Sequence, residues 1–189
     1  MAIIYVTGGA KSGKSKFAED LLLSLNDGKQ KNVYLATSVV FDEEMKKKAE
    51  LHKARRKDNW ITVESYKNFS QSLKEVMKKN KKNNMLVDCL TNMISNVIFE
   101  NEEIDWEKPE KNQLEKCDRN VEKEVQNLCE IFKNFENVVI VSNEVGMGLV
   151  PVYPLGRYFR EIAGKMNQFV AEKADEAYFV VSGIPMKIK

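Results

Sequence analysis

The chain has 189 residues, a usual length for one globular domain with its own core. Hydrophobic residues make up 43% and charged residues 31% of the sequence, which argues against a disordered or membrane-embedded chain. The 30 basic and 28 acidic residues nearly cancel, so no overall field would attract nucleic acid or an anionic membrane. We therefore expect one domain over residues 1–189, with no nucleic-acid partner.

The cysteines and the N-terminus indicate a cytoplasmic protein. Cys89, Cys117 and Cys129 are odd in number and have no CxxC spacing, so we expect neither a disulfide framework nor a zinc site. Residues 1–9 lack the basic region of a signal peptide. No apolar run approaches the roughly 20 residues that cross a bilayer, so we expect no membrane insertion.

Short runs of β-branched and aromatic residues alternate with longer stretches of helical spacing. The strands are predicted at residues 3–7, 32–37, 85–90, 137–142 and 176–182. The helices are predicted at residues 14–26, 41–57, 67–80, 90–100, 110–135 and 155–174. The strands are apolar on both faces, which is typical of a covered parallel sheet. The pattern predicts an α/β fold with a mainly parallel sheet flanked by helices.

A glycine-rich stretch, GGAKSGKS at residues 8–15, matches G-x-x-x-x-G-K-[ST]. It follows the first predicted strand and opens a helix, the context in which this motif binds a nucleoside triphosphate. Glycines let backbone N–H groups approach phosphate oxygens, and the helix N-terminus favours negative charge. Lys14 is expected to reach the β- and γ-phosphates, and the Ser15 hydroxyl to ligate Mg²⁺. The alternative is an ordinary glycine-rich turn between strand and helix.

An acidic residue at the end of another strand commonly completes such a site. Asp88 closes the predicted strand sequence MLVD and is the candidate for the second Mg²⁺ ligand. The alternative interpretation is a polar residue that merely ends its strand.

The single histidine, His52, lies in a basic predicted helix. Phe41, Met45 and His52 fall on one narrow stripe at 100° per residue, which favours a packed histidine. Arg55 and Arg56 follow at helical spacing on the same side, and two guanidinium groups beside an imidazole suit a phosphate chain. A solvated helix face or a weak nucleic-acid patch explains the same residues. These residues alone leave the interpretations open.

Several segments together carry a resemblance over almost the whole chain. They are VTGGAKSGKSKFAE, VYLATS, DEEM with HKARRKDNW and TVE, LVDCLTNMISN, SNEVGMGLVP, REIAGKMNQ and VVSGIPMKIK. The chain resembles the bifunctional adenosylcobinamide kinase and adenosylcobinamide-phosphate guanylyltransferase family of cobalamin assembly. The first segment is shared by many phosphate-loop proteins, whereas SNEVGMGLVP together with the histidine segment is specific.

The resemblance implies two activities on a corrinoid substrate. A nucleoside triphosphate, GTP or ATP, phosphorylates the aminopropanol hydroxyl of adenosylcobinamide. A histidine then takes GMP from GTP and passes it to the phosphorylated corrinoid. The family's histidine precedes a tryptophan by eight residues, a spacing kept by His52 and Trp60, so the covalent role is carried over to His52. A phosphate-loop NTPase-like domain and a homotrimer are also implied.

The implied nucleotide-binding residues lie in the loop and in four later segments. They are Gly8, Gly9, Ala10, Lys11, Ser12, Gly13, Lys14, Ser15, Ala36, Thr37, Ser38, Lys53, Ala54, Arg55, Arg56, Glu64 and Asp88.

The chain departs from the family pattern at Lys11, where arginine is usual, and at Lys57, where proline is common. Lys11 keeps the charge but lacks a bidentate fork, and Lys57 permits a longer helix. Glu144 is a further candidate base or metal ligand. Arg157 and Arg160 either bind the corrinoid phosphate or lie on an exposed helix.

Two other functions fit the phosphate loop. One is a simple small-molecule kinase without a covalent intermediate. The other is a nucleotide-operated switch, for which a guanine-reading N-K-x-D motif is expected. The nearest string, residues 80–83, reads NKKN and lacks the acid, which weakens that interpretation.

Overall fold

Seven strands form one sheet in the computed structural model, which describes residues 1–26, 28, 30–38, 60–78, 83–100 and 104–189. The strands are β1 (Ala2–Gly8), β2 (Asn32–Ala36), β3 (Trp60–Glu64), β4 (Met85–Asp88), β5 (Asn137–Asn143), β6 (Glu176–Val181) and β7 (Ile184–Lys187). Their order is β3-β2-β4-β5-β1-β6-β7. Every neighbouring pair is parallel except β6–β7. The prediction of a mainly parallel α/β sheet is confirmed.

The described helices cover both faces of this sheet. They are α1 (Lys14–Ser24), α2 (Phe69–Ser72), α3 (Lys74–Met77), α4 (Leu90–Phe99), α5 (Lys111–Ile131) and α6 (Pro154–Lys173), with a 3₁₀ turn at Phe132–Asn134. None of these described helices is long and apolar enough to cross a bilayer.

Alternate strand residues form two separate cores. Ile4 and Val6 of β1 point to the face covered by Ala18 and Leu22 of α1. Tyr5, between them, belongs to the larger core on the opposite face, built with α4, α5 and α6. Because side chains alternate along a strand, a sheet covered on both faces needs apolar residues at nearly every position. The unbroken apolar runs of the sequence meet that need.

The observed elements differ from the predicted ones at the sheet edges and in one helix. The strands β3 and β7 were not predicted: both are edge strands, half-buried or exposed, and short. The predicted helix at residues 67–80 is instead two short helices, α2 and α3, separated at Leu73, whose backbone leaves the helical region. The predicted helix at residues 41–57 lies outside the described residues.

A tight turn joins β6 to the C-terminal strand β7. Ser182 and Gly183 occupy its two positions with φ of 51° and 80°. A two-residue turn with positive φ at both positions matches the right-handed twist of the two antiparallel strands that it joins. The turn therefore folds β7 back along β6 and brings Gly183 close to the phosphate loop.

A candidate nucleotide site at the carboxyl edge of the sheet

The carboxyl ends of the parallel strands meet at one edge of the sheet. Gly8 at the end of β1 lies opposite Asn143 at the end of β5, and Ala36 at the end of β2 lies opposite both Glu64 and Asp88. Ligands of open α/β sheets bind at this edge. The register thus places the loop after β1 and the acid at the end of β4 at the same edge of the sheet.

The phosphate loop, residues 8–15, has a backbone that its glycines permit. Gly13 caps α1 with φ of 95°, and Lys11 also has positive φ, at 58°. Gly8 is enclosed: a Cβ there would overlap the carbonyl oxygen of Val180 and lie 2.8 Å from Ser12 Oγ. The loop therefore needs glycine at Gly8 for close packing and at Gly13 for conformation.

Lys14 is held inside the loop. The residue is 7% exposed, and its ammonium donates to the carbonyl oxygen of Gly9 at 3.0 Å. Burial lowers the pKa of Lys14, against the attraction of the neighbouring Cys89 and Asp88. A buried cation that folds back over its own loop is positioned for phosphate oxygens entering the same concavity.

The turn of the β6–β7 hairpin packs against the phosphate loop. Gly183 N donates to the carbonyl oxygen of Ser12 at 2.8 Å, and a Cβ on Gly13 would lie 3.0 Å from the Cα of Gly183. On the other side, Glu144 N donates to the carbonyl oxygen of Gly8 at 3.0 Å. These contacts fix the loop backbone at both ends.

The oxygen donors expected to hold Mg²⁺ are Ser15, in the first turn of α1, and Asp88. Asp88 is half-buried, and its Oδ2 accepts a hydrogen bond of 2.7 Å from the Tyr34 hydroxyl. Within the described part of the chain no hydrogen bond occupies Oδ1. A hydroxyl and a carboxylate are hard oxygen ligands of the kind Mg²⁺ takes beside nucleotide phosphates, so the donor set fits the ion.

The stretch Ala36, Thr37 and Ser38 lies beside Asp88, but its side chains are engaged within the protein. The fully buried Thr37 donates through its hydroxyl to the carbonyl oxygen of Cys89 at 2.6 Å. Ser38 Oγ accepts from Asn92 Nδ2 at 2.9 Å. These bonds tie the end of β2 to the start of α4.

Glu64 lies apart from the loop. It ends β3, four strand spacings from β1 in the sheet order, which is about 19 Å at the usual separation. Asp88, on β4, is two spacings from β1, about 10 Å. The structure therefore groups Asp88 with the phosphate loop and leaves Glu64 on the far side of the edge. His52, Lys53, Ala54, Arg55 and Arg56 lie outside the described residues.

The model of the cobinamide kinase / cobinamide phosphate guanyltransferase family matches residues 4–188. The chain belongs to this family. The bifunctional adenosylcobalamin biosynthesis proteins CobU of Escherichia coli K12 and Salmonella typhimurium LT2 are each 38% identical to it over 192 residues, covering 99% of both chains. The corresponding CobP of Pseudomonas aeruginosa is 31% identical over 187 residues, covering 97% of this chain and 95% of its own. The predicted family is confirmed.

Within this family member, the stretch after β5 forms a hydrogen-bonded bend. Glu144 Oε1 accepts from Gly146 N at 2.6 Å, and Arg160 Nη2 donates to the carbonyl oxygen of Gly146 at 2.6 Å. Arg157 binds the carbonyl oxygens of Pro151 and Val152. In the described structure Arg160 thus holds a backbone carbonyl of this bend and Arg157 holds two carbonyls beyond it, roles that the sequence did not suggest.

A buried polar cluster beneath the site was also missed from the sequence. Asn143 Nδ2 donates to Thr91 Oγ1 at 2.7 Å, while the Ser142 hydroxyl donates to Asn167 Oδ1 at 2.6 Å. Asn167 in turn donates to the carbonyl oxygen of Asn143 at 3.2 Å. The cluster joins the end of β5 to α4 and α6. Its sequence signal was limited to Ser142 and Asn143, two polar residues at the end of the apolar strand β5.

An apolar segment, residues 147–153, follows the bend. Met147, Leu149, Val150, Val152 and Tyr153 are all exposed, Leu149 by 95%. Beside it, a cleft of about 500 Å³ opens between the end of α4 and the start of α6, lined by Phe99, Trp106, Pro151, Tyr153 and Phe159, among others. Exposed apolar side chains grouped in this way are typical of an interaction surface.

Proposed function

We propose that this chain phosphorylates adenosylcobinamide with a nucleoside triphosphate and then converts the product to adenosylcobinamide-GDP with GTP. The family match over residues 4–188 carries the proposal. The geometry supports it, because a buried Lys14 after β1 and an acid at the end of β4, two strands away, are parts that phosphoryl transfer needs. The product class is a nucleotide-linked corrinoid of cobalamin biosynthesis.

In the first reaction the corrinoid hydroxyl attacks the γ-phosphorus of the nucleotide. The new P–O bond forms as the bond to the β,γ-bridging oxygen breaks, the hydroxyl proton is released, and the nucleoside diphosphate leaves. Lys14 and the loop N–H groups stabilise the charge on the phosphate oxygens. Ser15 and Asp88 would hold Mg²⁺, which supplies neutralisation of the triphosphate charge when bound.

In the second reaction His52 is the nucleophile. Its ring nitrogen attacks the α-phosphorus of GTP, forming a P–N bond while the bond to the α,β-bridging oxygen breaks and pyrophosphate leaves. A phosphate oxygen of adenosylcobinamide phosphate then attacks the same phosphorus. The P–N bond breaks, and histidine is returned unmodified. Arg55 and Arg56 stabilise the charge on the transferring group.

The covalent step is tested with GTP labelled at the α-phosphate. The wild-type chain is expected to retain acid-labile, base-stable label, and His52→Ala to retain none. The chain contains one histidine, so phosphohistidine needs no further mapping. Labelled lysine would also be acid-labile but would persist in His52→Ala. Full labelling of that variant removes His52 from the mechanism.

The same protein is incubated with adenosylcobinamide and GTP, and the products are read by mass. Adenosylcobinamide-GDP and pyrophosphate are expected. Adenosylcobinamide phosphate alone, without protein labelling, would indicate the simple kinase. Nucleotide binding with no change in the corrinoid would indicate the switch.

We further propose that the chain assembles as a cytoplasmic homotrimer. The exposed apolar segment 147–153 supports self-association, because burying it against further copies removes apolar surface from water. Free cysteines support a reducing compartment: Cys89 and Cys117 are buried thiols, and no disulfide forms between described residues.

A further inference from the structure

We infer that Tyr34 is a positioning residue for Asp88: it holds the carboxylate so that one oxygen faces the nucleotide site and Lys14 stays free for phosphate. The inference rests on the proposed function, since it assigns a role within the same site. Asp88 presents two oxygens, and the 2.7 Å hydrogen bond from Tyr34 occupies Oδ2 alone.

The sheet register builds this pair. Tyr34 lies opposite Leu86, and Ala36 lies opposite Asp88, so Tyr34 and Asp88 are diagonal neighbours on one face. Diagonal neighbours are bridged only by long side chains. The small side chain of Ala36, directly opposite Asp88, leaves room for the phenol to reach the carboxylate.

The tyrosine ring is fixed before any ligand arrives. Tyr34 is 5% exposed and packs in the core beneath α1, the helix that carries Lys14 at its start. The Trp60 ring meets it edge-on, with centroids 6.1 Å apart and planes at 81°. A ring held in this way presents its hydroxyl in one direction, so the hydrogen bond fixes the carboxylate rather than following it.

Lys14 gives the reason for such a restraint. Asp88 lies close enough to Lys14 to raise its pKa, against the larger effect of burial. Yet among the described residues Lys14 forms no ion pair with Asp88, and its ammonium donates to Gly9 instead. A direct pair would neutralise the cation that phosphate needs. A phenol satisfies the carboxylate without adding charge, so both charged groups stay available.

The test is Tyr34→Phe, which removes the hydroxyl and keeps the ring. We expect the Mg²⁺ concentration that half-saturates GTP binding to rise about tenfold, the lower end of what a hydrogen bond to a charged group supplies. Binding is measured by calorimetry with GTP and Mg²⁺, without corrinoid. An unchanged Mg²⁺ requirement overturns the inference.

Tyr158→Phe is the matched control. It removes a phenol that donates to Asp118 Oδ1 at the same 2.7 Å, on the opposite face of the sheet. Both variants are expected to melt within a few degrees of each other, with only Tyr34→Phe altering the Mg²⁺ requirement. Equal Mg²⁺ shifts in the two variants would reduce the Tyr34 effect to loss of structure and overturn the inference.

A double-mutant cycle with Asp88→Asn tests whether Tyr34 acts through Asp88. In the Asp88→Asn background, Tyr34→Phe is expected to have no further effect on the Mg²⁺ requirement. An undiminished effect there shows that Tyr34 acts by another route, and the inference fails. Failure of corrinoid turnover in the wild type is a separate result, because it removes the proposed function while these binding measurements still stand.

Discussion

The phosphate loop and the apolar segment 147–153 lie at the same side of the sheet but are stabilised in opposite ways. In the loop, the charged side chain of Lys14 is buried and donates a hydrogen bond to the carbonyl oxygen of Gly9. The loop backbone is held as well, because Gly183 N donates to the carbonyl oxygen of Ser12. In the segment, apolar side chains are exposed while Arg157 of α6 holds the backbone carbonyls of Pro151 and Val152. The loop is thus complete within one chain, whereas the segment presents a surface for something else to cover.

The largest effect is expected from Lys14→Ala, which asks whether the buried charge serves catalysis. Loss of a cation aimed at the β- and γ-phosphates should lower kcat/KM for phosphoryl transfer by about 10²- to 10³-fold. The measurement is corrinoid phosphorylation at saturating Mg²⁺. Among the described residues Lys14 forms no ion pair that the substitution would break, so the melting temperature should change little.

Lys16→Ala is the control for charge alone. Lys16 is in the same helix, with its side chain 80% exposed and paired to Asp20. Exposed pairs of this kind contribute roughly 0–1 kcal/mol, so this variant should turn over as the wild type does. Equal losses in the two variants would mean that net charge, rather than the place of Lys14 in the loop, drives the effect.

The loop and the central strands were predictable because their signals are local. The motif at residues 8–15 carries its own glycines, and β1, β4 and β5 are apolar on both faces. The edge strands β3 and β7 lack that signal, since an edge strand is only partly covered.

Contacts between residues far apart in the chain could not be predicted from the sequence. Tyr34 and Asp88 are 54 positions apart, and they meet only through the register of β2 and β4. The support of the loop by Gly183 likewise depends on where β6 pairs with β1. The role of His52 and of the residues implied to bind nucleotide stays a prediction, although the family that implies it is confirmed.

Gly8→Ala tests how tightly the loop is built. A methyl group there would overlap the carbonyl oxygen of Val180, a buried residue whose backbone is held in β6 and cannot rotate away as a side chain could. We expect a loss of about 1–3 kcal/mol in the free energy of unfolding, the usual cost of overpacking. Gly9→Ala is the control, because nothing lies within 4 Å of its Cβ position. Denaturant unfolding without nucleotide compares the Gly8→Ala and Gly9→Ala variants. Equal free energies of unfolding would show that the loop can accommodate a methyl group at Gly8.

The smallest expected effect concerns the apolar segment, where Leu149→Ser removes a side chain that is 95% exposed. Within one chain Leu149 makes few contacts, so the free energy of unfolding of a dissociated subunit should not change. Between chains, an apolar side chain at a contact contributes roughly 1.5–3 kcal/mol when fully buried, which weakens association by about tenfold or more. Sedimentation across a concentration series measures this shift, with Leu25→Ser, an exposed leucine after α1, as the control. Unchanged association of Leu149→Ser would show that the segment is not a subunit contact. The exposed apolar side chains would then have to be covered by a partner other than a second copy of this chain.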